Sequence, residues 1–498
     1  MWTLVACAPS TPSTPPAPPP QPIGAPTLAF GPDPNVGPAR IWRLETAEPT
    51  TYTLTIRGGG ESWTVDGPAA TRHAIPVVGL LPLTTYRVTS DPPTVTLAFT
   101  TPPAPRTATW PSVDVLVHDP ARAEPGWTLV PFGVQGLGAG VAVLYDEQAR
   151  PRWWYHGSPP YDVVLDPVEG VWVRDARTMR HLRWTGETLA WFAADPDEDQ
   201  LPLEGPVNHE LVPDGDGGFW TFGRDAVTMY VPSDYGSTEL VQAEVDDSVW
   251  QHVGPDGALV SATSIAGVLD PSRCGYDALT PTDEGTLDFV HANAGVPLDD
   301  GGVIVSSRNQ DAIFRLDPSG ELAWILGDPT GWTAPWTDKL LRPVGPLTWP
   351  YHQHGIEWHP DTHTLLVFDN HASGAIPPNP KAPGTSRAVA YEIDEQARTV
   401  REAWVFDTPS TGPLFAPVLG EVDLLPITGN HLAVYGWIES EGPANGWGQL
   451  TGRLVEFDAA GASVLEWRFH VPLDTTPEGV WIYRAERGVD PARVRAAQ

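Results

Sequence analysis

Lysine is almost missing from this chain: among 498 residues it occurs only as Lys339 and Lys381. Neither follows a glycine, so the phosphate loop GxxxxGK(S/T) occurs nowhere, and chemistry driven by a nucleotide held in such a loop is excluded. Positive charge is scarce as a whole, with 29 Lys and Arg against 62 Asp and Glu and a net charge of −33. Binding nucleic acid requires clustered basic groups that neutralise phosphates, so no nucleic acid is expected as a partner. If the protein handles an anion, Arg and His must do so in a locally positive pocket. Cysteine is equally scarce, present only as Cys7 and Cys274. Beyond the N-terminus no run approaches the roughly 18 apolar residues that span a bilayer.

What the chain does have is 57 Pro, 48 Gly and 22 Trp, with 41% hydrophobic residues, enough for a core. Pro and Gly break helices and punctuate strands, whereas Trp favours half-buried pleated surfaces. An all-β chain with many turns is expected. Length alone suggests about three domains, although propellers fill several hundred residues as one unit.

Residues 1–25 read as a leader and tether. Leu4-Val5-Ala6-Cys7 resembles the lipobox of bacterial lipoproteins, in which Cys7 would carry the lipid. Ser10 to Pro22 is nearly all Pro, Ser, Thr and Ala, a composition that cannot pack a core and that commonly spaces an anchor from its domain. If Cys7 is lipidated, no intramolecular disulfide remains. The expectation is an exported protein, periplasmic or on the outer cell surface, attached to a membrane through Cys7, with a homodimer as the expected assembly.

Residues 26–103 alternate as short strands. Gly79 to Val88 resembles the late strands of fibronectin type III modules, where a Leu-x-Pro turn precedes a buried Tyr whose hydroxyl ties back to the backbone. A small β-sandwich with a positioning or interface role is expected. Over residues 108–490 a longer unit recurs: a strand, a Gly or Asp turn, and a second strand. Copies begin near Val207, Phe289, Gln353 and Gly420, with weaker ones near Val141 and Val171. Antiparallel strands recurring in this way indicate a β-propeller, here of six blades.

In the overlaid repeats His209, His291 and His354 fall at one phase of the first strand, which lines a propeller's channel. Arg224, Arg308 and Asn370 follow them on the second strand at separations of 15, 17 and 16 residues. Three imidazoles can hold Zn²⁺ or Fe²⁺. Against a metal, Arg308 would repel a cation, whereas Arg, Asn and several His suit an oxyanion. Neither metal nor cofactor is therefore expected. Trp332, Trp336, Trp349 and Tyr351, just before His354, either stack on aryl rings or anchor their loop. Asp195 to Asp199 lacks the Gly and closing Glu of a calcium loop and reads as solvated acid, and Asp214 to Gly217 reads as a hairpin turn.

His291-Ala292-Asn293 leading to Ser306-Ser307-Arg308, then Gln353-His354-Gly355 leading to Phe368-Asp369-Asn370, resembles the bacterial arylsulfotransferase family. Gly420 to Pro426 and Tyr483 to Arg487 resemble its closing blades, so the likeness covers about residues 108 to 490. The resemblance implies a six-bladed propeller preceded by a β-sandwich. It also implies sulfuryl transfer from a phenolic sulfate donor to a phenol acceptor through a sulfohistidine, without a nucleotide sulfate. His354 would be the nucleophile, His291, Asn293 and Arg308 would hold sulfate oxygens, and His209 would be a further ligand or proton shuttle. Asn370 and Arg224 complete the expected substrate-binding set. The chain departs from the family where Gly355 replaces a common acid, so the nucleophile needs another orienting group. It also cannot make the disulfide that some members carry. Two other classes stay open: a non-catalytic propeller that binds a ligand or partner, and a metal-dependent propeller lyase or hydrolase.

Overall fold

Aspartates begin the tight turns that cut the chain into hairpins. Asp214 Oδ1 accepts from the backbone N–H of Asp216 and Gly218 at 2.8 and 2.9 Å. Asp317 does the same for Ser319 and Glu321, with Gly320 at φ +83° supplying the left-handed residue. In the computed structural model, the described residues are 22–496 apart from 106–109, 135–138, 158–161, 167–169, 176–177, 204–206, 276, 283–284, 373–383 and 474–477. Cys7 and most of the Pro-rich tract lie outside them, as does most of the insertion from Ser373 to Arg387.

The described residues form an all-β fold. Six mainly antiparallel sheets form a ring, each adding strands outward from an inner one. The inner strands are β1 (Asp162–Leu165), β2 (Val207–Pro213), β3 (Ala292–Pro297), β4 (His354–His359), β5 (Glu421–Leu424) and β6 (Val480–Ile482). From β1 to β5 neighbours in this series touch in turn, β6 touches His431–Ile438 of the sheet begun by β5, and β1 touches Trp127–Val134 of the sheet that holds β6, which is a propeller arrangement. Both chain ends close the ring. Ser112–His118 becomes the outer strand of the sheet begun by β5, and β6 pairs with Trp127–Val134 of the next sheet.

Apolar wedges fill the space between sheets. Trp153 and Trp184 meet edge to face with ring centroids 5.1 Å apart, and the Trp153 indole N–H donates to the Trp184 carbonyl at 2.9 Å. Between two other sheets Phe132, Tyr145, Trp467 and Phe469 are fully or almost fully buried. Burying such rings supplies much of the fold's stability, at about 25 cal/mol per Å² of apolar surface.

The N-terminal unit is a five-stranded sheet built on the long hairpin of Arg40–Gly58 and Glu61–Val77. The Tyr86 hydroxyl accepts the Leu81 N–H at 2.8 Å, tying a buried ring back to the turn before it. Val36–Gly37 pairs with Trp154 and Tyr155 at the edge of a ring sheet. At the hairpin tip Glu61 takes Arg152 and Arg495, so the unit is clamped to the ring by charge as well as by strand pairing.

Candidate active site

Three inner strands break register beside a histidine. The ladder slips after Asn208 in β2, after Ala292 in β3 and after His354 in β4. A slip of this kind is a β-bulge, which re-aims side chains. Relative to the slip, His209 stands one residue after, His291 one before and His354 at it. The histidines therefore do not share one ladder position. Their rings nevertheless converge, with His209 centred 4.9 Å from His291 and 6.2 Å from His354. His209 and His291 have φ of +54° and +47°, a conformation uncommon for residues with a Cβ that supports the unusual aim.

His354 is 3% exposed, and its Nδ1 lies 2.8 Å from the carbonyl oxygen of Gly420. A carbonyl can only accept, so Nδ1 carries the proton and Nε2 bears a lone pair. That Nε2 is buried and has no partner among the described residues. Burial, then the nearby Arg484 charge, pushes the imidazole down to about 3, so it is neutral at neutral pH. The missing acid at Gly355 is explained by space. Gly355 has φ +54°, and a Cβ there would stand 2.7 Å from the Gly420 oxygen and 2.8 Å from Glu421 Cα. Glycine lets the strands approach until a backbone carbonyl orients the ring.

His291 Nδ1 lies 2.7 Å from Asp288 Oδ2, which fixes its tautomer and leaves its other nitrogen for proton transfer. His209 Nδ1 lies 2.9 Å from the Tyr483 hydroxyl, and the Tyr483 ring stands edge-on to His354 at 5.0 Å. Burial pushes the His209 imidazole well below its ordinary value, and the neighbouring His291 and His354 rings work in the same direction by disfavouring a further positive charge.

Arg308 donates from Nη1 to Asp277 at 3.2 Å and to the Asn309 side chain at 2.9 Å, while its Nε is buried without a partner among the described residues. Asn293 is fully buried, and its amide donates to the Gln353 carbonyl at 2.7 Å, bracing the residue before His354. Asn370 is also fully buried and donates to the carbonyls of Ala416 and Leu419 at 2.8 and 2.7 Å, holding the turn that presents Gly420. Arg224 donates from Nε to Asp246 at 2.7 Å. His354, His291 and His209 are thus brought together, with Arg308 bonded to the His291 carbonyl through its backbone N–H at 3.1 Å. The two asparagines serve as braces.

Of the four aromatic residues before His354, Trp332 and Trp336 donate their indole N–H to the Asp328 and Val268 carbonyls, Trp349 packs into an apolar wedge, and the Tyr351 hydroxyl donates to Asp328. They anchor their loops.

Arg484 follows Tyr483 and lies in a ring of carboxylates. It pairs with both oxygens of Glu210 and stands 3.7 Å from Asp162 and from Glu421. Burial works against its charge, but Glu210 and Asp162 outweigh that and raise its pKa. Burial pushes Asp162 up to about 6 and Glu486 up to about 7. Among the described residues no group of three or more His, Cys, Asp or Glu is disposed to hold a metal. Motif reading missed Tyr483, Arg484, Gly420 and Asp288 as site residues. The first three stood within the motifs that resemble the closing blades, and Asp288 lies three residues before His291.

The family profile described as Arylsulfotransferase (ASST) matches residues 223–484, more than half of the chain. The chain belongs to the arylsulfotransferase family. It is 32% identical to the arylsulfate sulfotransferase AssT of Lelliottia amnigena over 174 residues, which cover 31% of this chain and 28% of that protein. It is 28% identical to the arylsulfate sulfotransferase AssT of Escherichia coli O6:H1 over 362 residues, 60% of this chain and 58% of that one. The chain therefore matches less than two thirds of the length of either relative. Among solved structures, a hypothetical selenium-binding protein from Sulfolobus tokodaii is 9% identical, covering 89% of this chain and 94% of its own, with a TM-score of 0.37. A TM-score so low carries no functional inference. Of the three clustered histidines, His291 and His354 fall inside the arylsulfotransferase match and His209 lies before it.

Proposed function

We propose that this arylsulfotransferase-family protein moves a sulfuryl group from an aryl sulfate to a phenol in two steps, with His354 Nε2 as nucleophile. The observation that carries the reading is the His354 ring itself: Nδ1–H spent on Gly420, Nε2 buried and without a partner among the described residues, and the His209 ring centred 6.2 Å away with His291 4.9 Å beyond it. In the first step the Nε2 lone pair attacks sulfur, an N–S bond forms, and the S–O bond to the aryl group breaks. The leaving phenolate takes a proton from His291, since the lowered His209 ring is neutral and has no acidic proton to give. In the second step a phenol gives its proton to that histidine and attacks the sulfur, returning the N–S electron pair to His354. Arg308 and the imidazole N–H groups face the negative sulfuryl oxygens, whose charge they stabilise as in phosphoryl transfer. A weakly basic imidazole also makes a good leaving group, which suits the second transfer.

The test is release of 4-nitrophenol from 4-nitrophenyl sulfate, faster when a second phenol is added and abolished by His354→Ala; release that survives the substitution contradicts the assignment. We further propose that the protein is exported and anchored through Cys7, supported by Leu4-Val5-Ala6-Cys7 and the Pro-rich tract behind it. Cys7→Ala should move the expressed protein from the membrane to the soluble fraction.

A further inference from the structure

His352 stands two residues before His354, yet nothing in the transfer steps uses it. It is 3% exposed, and both ring nitrogens meet carboxylates: Nδ1 lies 2.6 Å from Asp311 Oδ1 and Nε2 2.7 Å from Asp277 Oδ2. Its backbone N–H also donates to Asp311 Oδ1 at 2.7 Å, and its φ is +52°. Carboxylates only accept, so two such bonds require two N–H donors, which is an imidazolium. The oxygen that takes His352 Nε2 is the one that takes Arg308 Nη1, at the longer distance of 3.2 Å.

We propose that His352 is a positioning residue, a clamp charged at neutral pH that shares the Asp277 carboxylate and so keeps Arg308 from closing onto it, leaving the guanidinium for the sulfuryl group. The proposal rests on the transfer reading given above for its consequence, but the clamp itself is a matter of protonation and geometry. Without the imidazolium, Asp277 would satisfy its charge with Arg308 alone, in the bidentate form that this pair favours. The His352 backbone N–H would keep its bond to Asp311, so the change falls on Arg308. Misplacement by about 1 Å can cost on the order of 100-fold in rate.

The charged groups packed around His352 are Asp277, Asp311 and Arg308, with Asp328 and Asp369 bonded to adjacent Tyr351 and Arg273 near Asp311. Burial alone would lower the His352 pKa, but Asp311 and Asp277 outweigh it and raise it. Raising the pH through that value should therefore open the clamp.

Two measurements test this. The first needs no turnover: nitrogen chemical shifts of the His352 ring in the full chain at neutral pH should show both nitrogens protonated. A neutral ring there overturns the clamp whatever the enzyme does. The second is the pre-steady-state burst of 4-nitrophenol. His352→Gln should slow the burst at least tenfold with little change in KM, and adding Asp277→Asn should recover most of that loss, because the carboxylate that captures Arg308 is gone. Asp277→Asn alone should abolish the alkaline limb of the burst rate, because a neutral His352 then leaves no carboxylate free to capture Arg308. Losses that simply add, or a limb that stays in place, would overturn the proposal. If His352→Gln does not fold, the loss or survival of the limb in Asp277→Asn still decides. An absent burst in the unsubstituted protein counts against the transfer reading, while the ring shifts still judge the clamp.

Discussion

The Nδ1 of His354 lies 2.8 Å from the carbonyl oxygen of Gly420, and that bond decides which imidazole nitrogen is free. An acid beside the histidine would do the same work, but a backbone carbonyl adds no second negative charge near a sulfate ester. The bond depends on two strands approaching at glycines, since a Cβ at Gly420 would meet Phe368 at 2.5 Å and the Val434 oxygen at 2.6 Å.

Gly355→Ala should therefore damage catalysis more than folding. The added methyl meets the Gly420 oxygen and sits at a positive φ, for which about 1 kcal/mol or somewhat more is expected in stability. Because the clash displaces the orienting carbonyl, kcat should fall by a factor of ten or more, on the order of that expected for a misplaced reacting group. Steady-state kinetics beside a thermal melt separate the two effects. A variant with native kcat would show that Gly420 does not orient the ring.

The acid side of the rate profile follows from the lowered imidazoles. His354 at about 3, and His209 below its ordinary value, stay neutral well below pH 6.5. The sulfation step should keep its nucleophile down to about pH 4. The sign for stability follows from linkage: these histidines bind fewer protons folded than unfolded, so their contribution is full above about 6.5 and is lost as pH falls toward their folded values. Asp162 and Glu486 act oppositely, favouring the fold most at low pH and losing that contribution as pH rises toward about 6 and about 7. Single-turnover rates across pH 4 to 8 check the first point; a nucleophile that titrates near 6.5 would contradict it.

Arg308 and Asn293 should separate into different classes of defect. On the proposed transfer, Arg308→Ala removes the charge that faces the transferring group, with an expected loss of about 2.7 to 4 kcal/mol of transition-state stabilisation. Asn293→Ala removes the bond to the Gln353 carbonyl, so it should lower kcat through His354 placement and lower the melting temperature as well. Equal kcat losses with unchanged stability in both would place Asn293 on the sulfate instead.

Arg484 should matter to the fold before it matters to the chemistry. Removing it as Arg484→Met leaves Glu210, Asp162 and Glu421 buried without their common partner. Breaking a buried ion pair in this way costs about 3 to 5 kcal/mol. Urea denaturation at pH 7 measures the loss, and lowering the pH should recover part of it, because the acids can then protonate.

The repeat was legible because Asp and Gly turns and alternating apolar residues recur whatever the loops do. His209, His291 and His354 were legible for a related reason: imidazoles are rare at such positions in otherwise apolar strands. Their geometry was not, because a bulge shifts side-chain aim by one residue without marking the sequence, so the overlay put all three at one phase where the strands hold them at three. Arg224 and Asn370 show the limit of spacing as a guide. Each follows its histidine at nearly the same interval as Arg308, and the three take different partners: Asp246 for Arg224, the Ala416 and Leu419 carbonyls for Asn370, and Asp277 for Arg308. Which partner a polar side chain takes depends on neighbours distant in sequence, as Asp277 and His352 also show across 75 residues.

The most direct test of the central claim is mass spectrometry of the full chain after brief exposure to an aryl sulfate with no acceptor present. The peptide that contains His354 should carry one sulfuryl group, lost when a phenol is added and never formed in His354→Ala. Turnover that proceeds with no modified peptide, or with the group on another residue, would contradict the assignment of His354 as nucleophile.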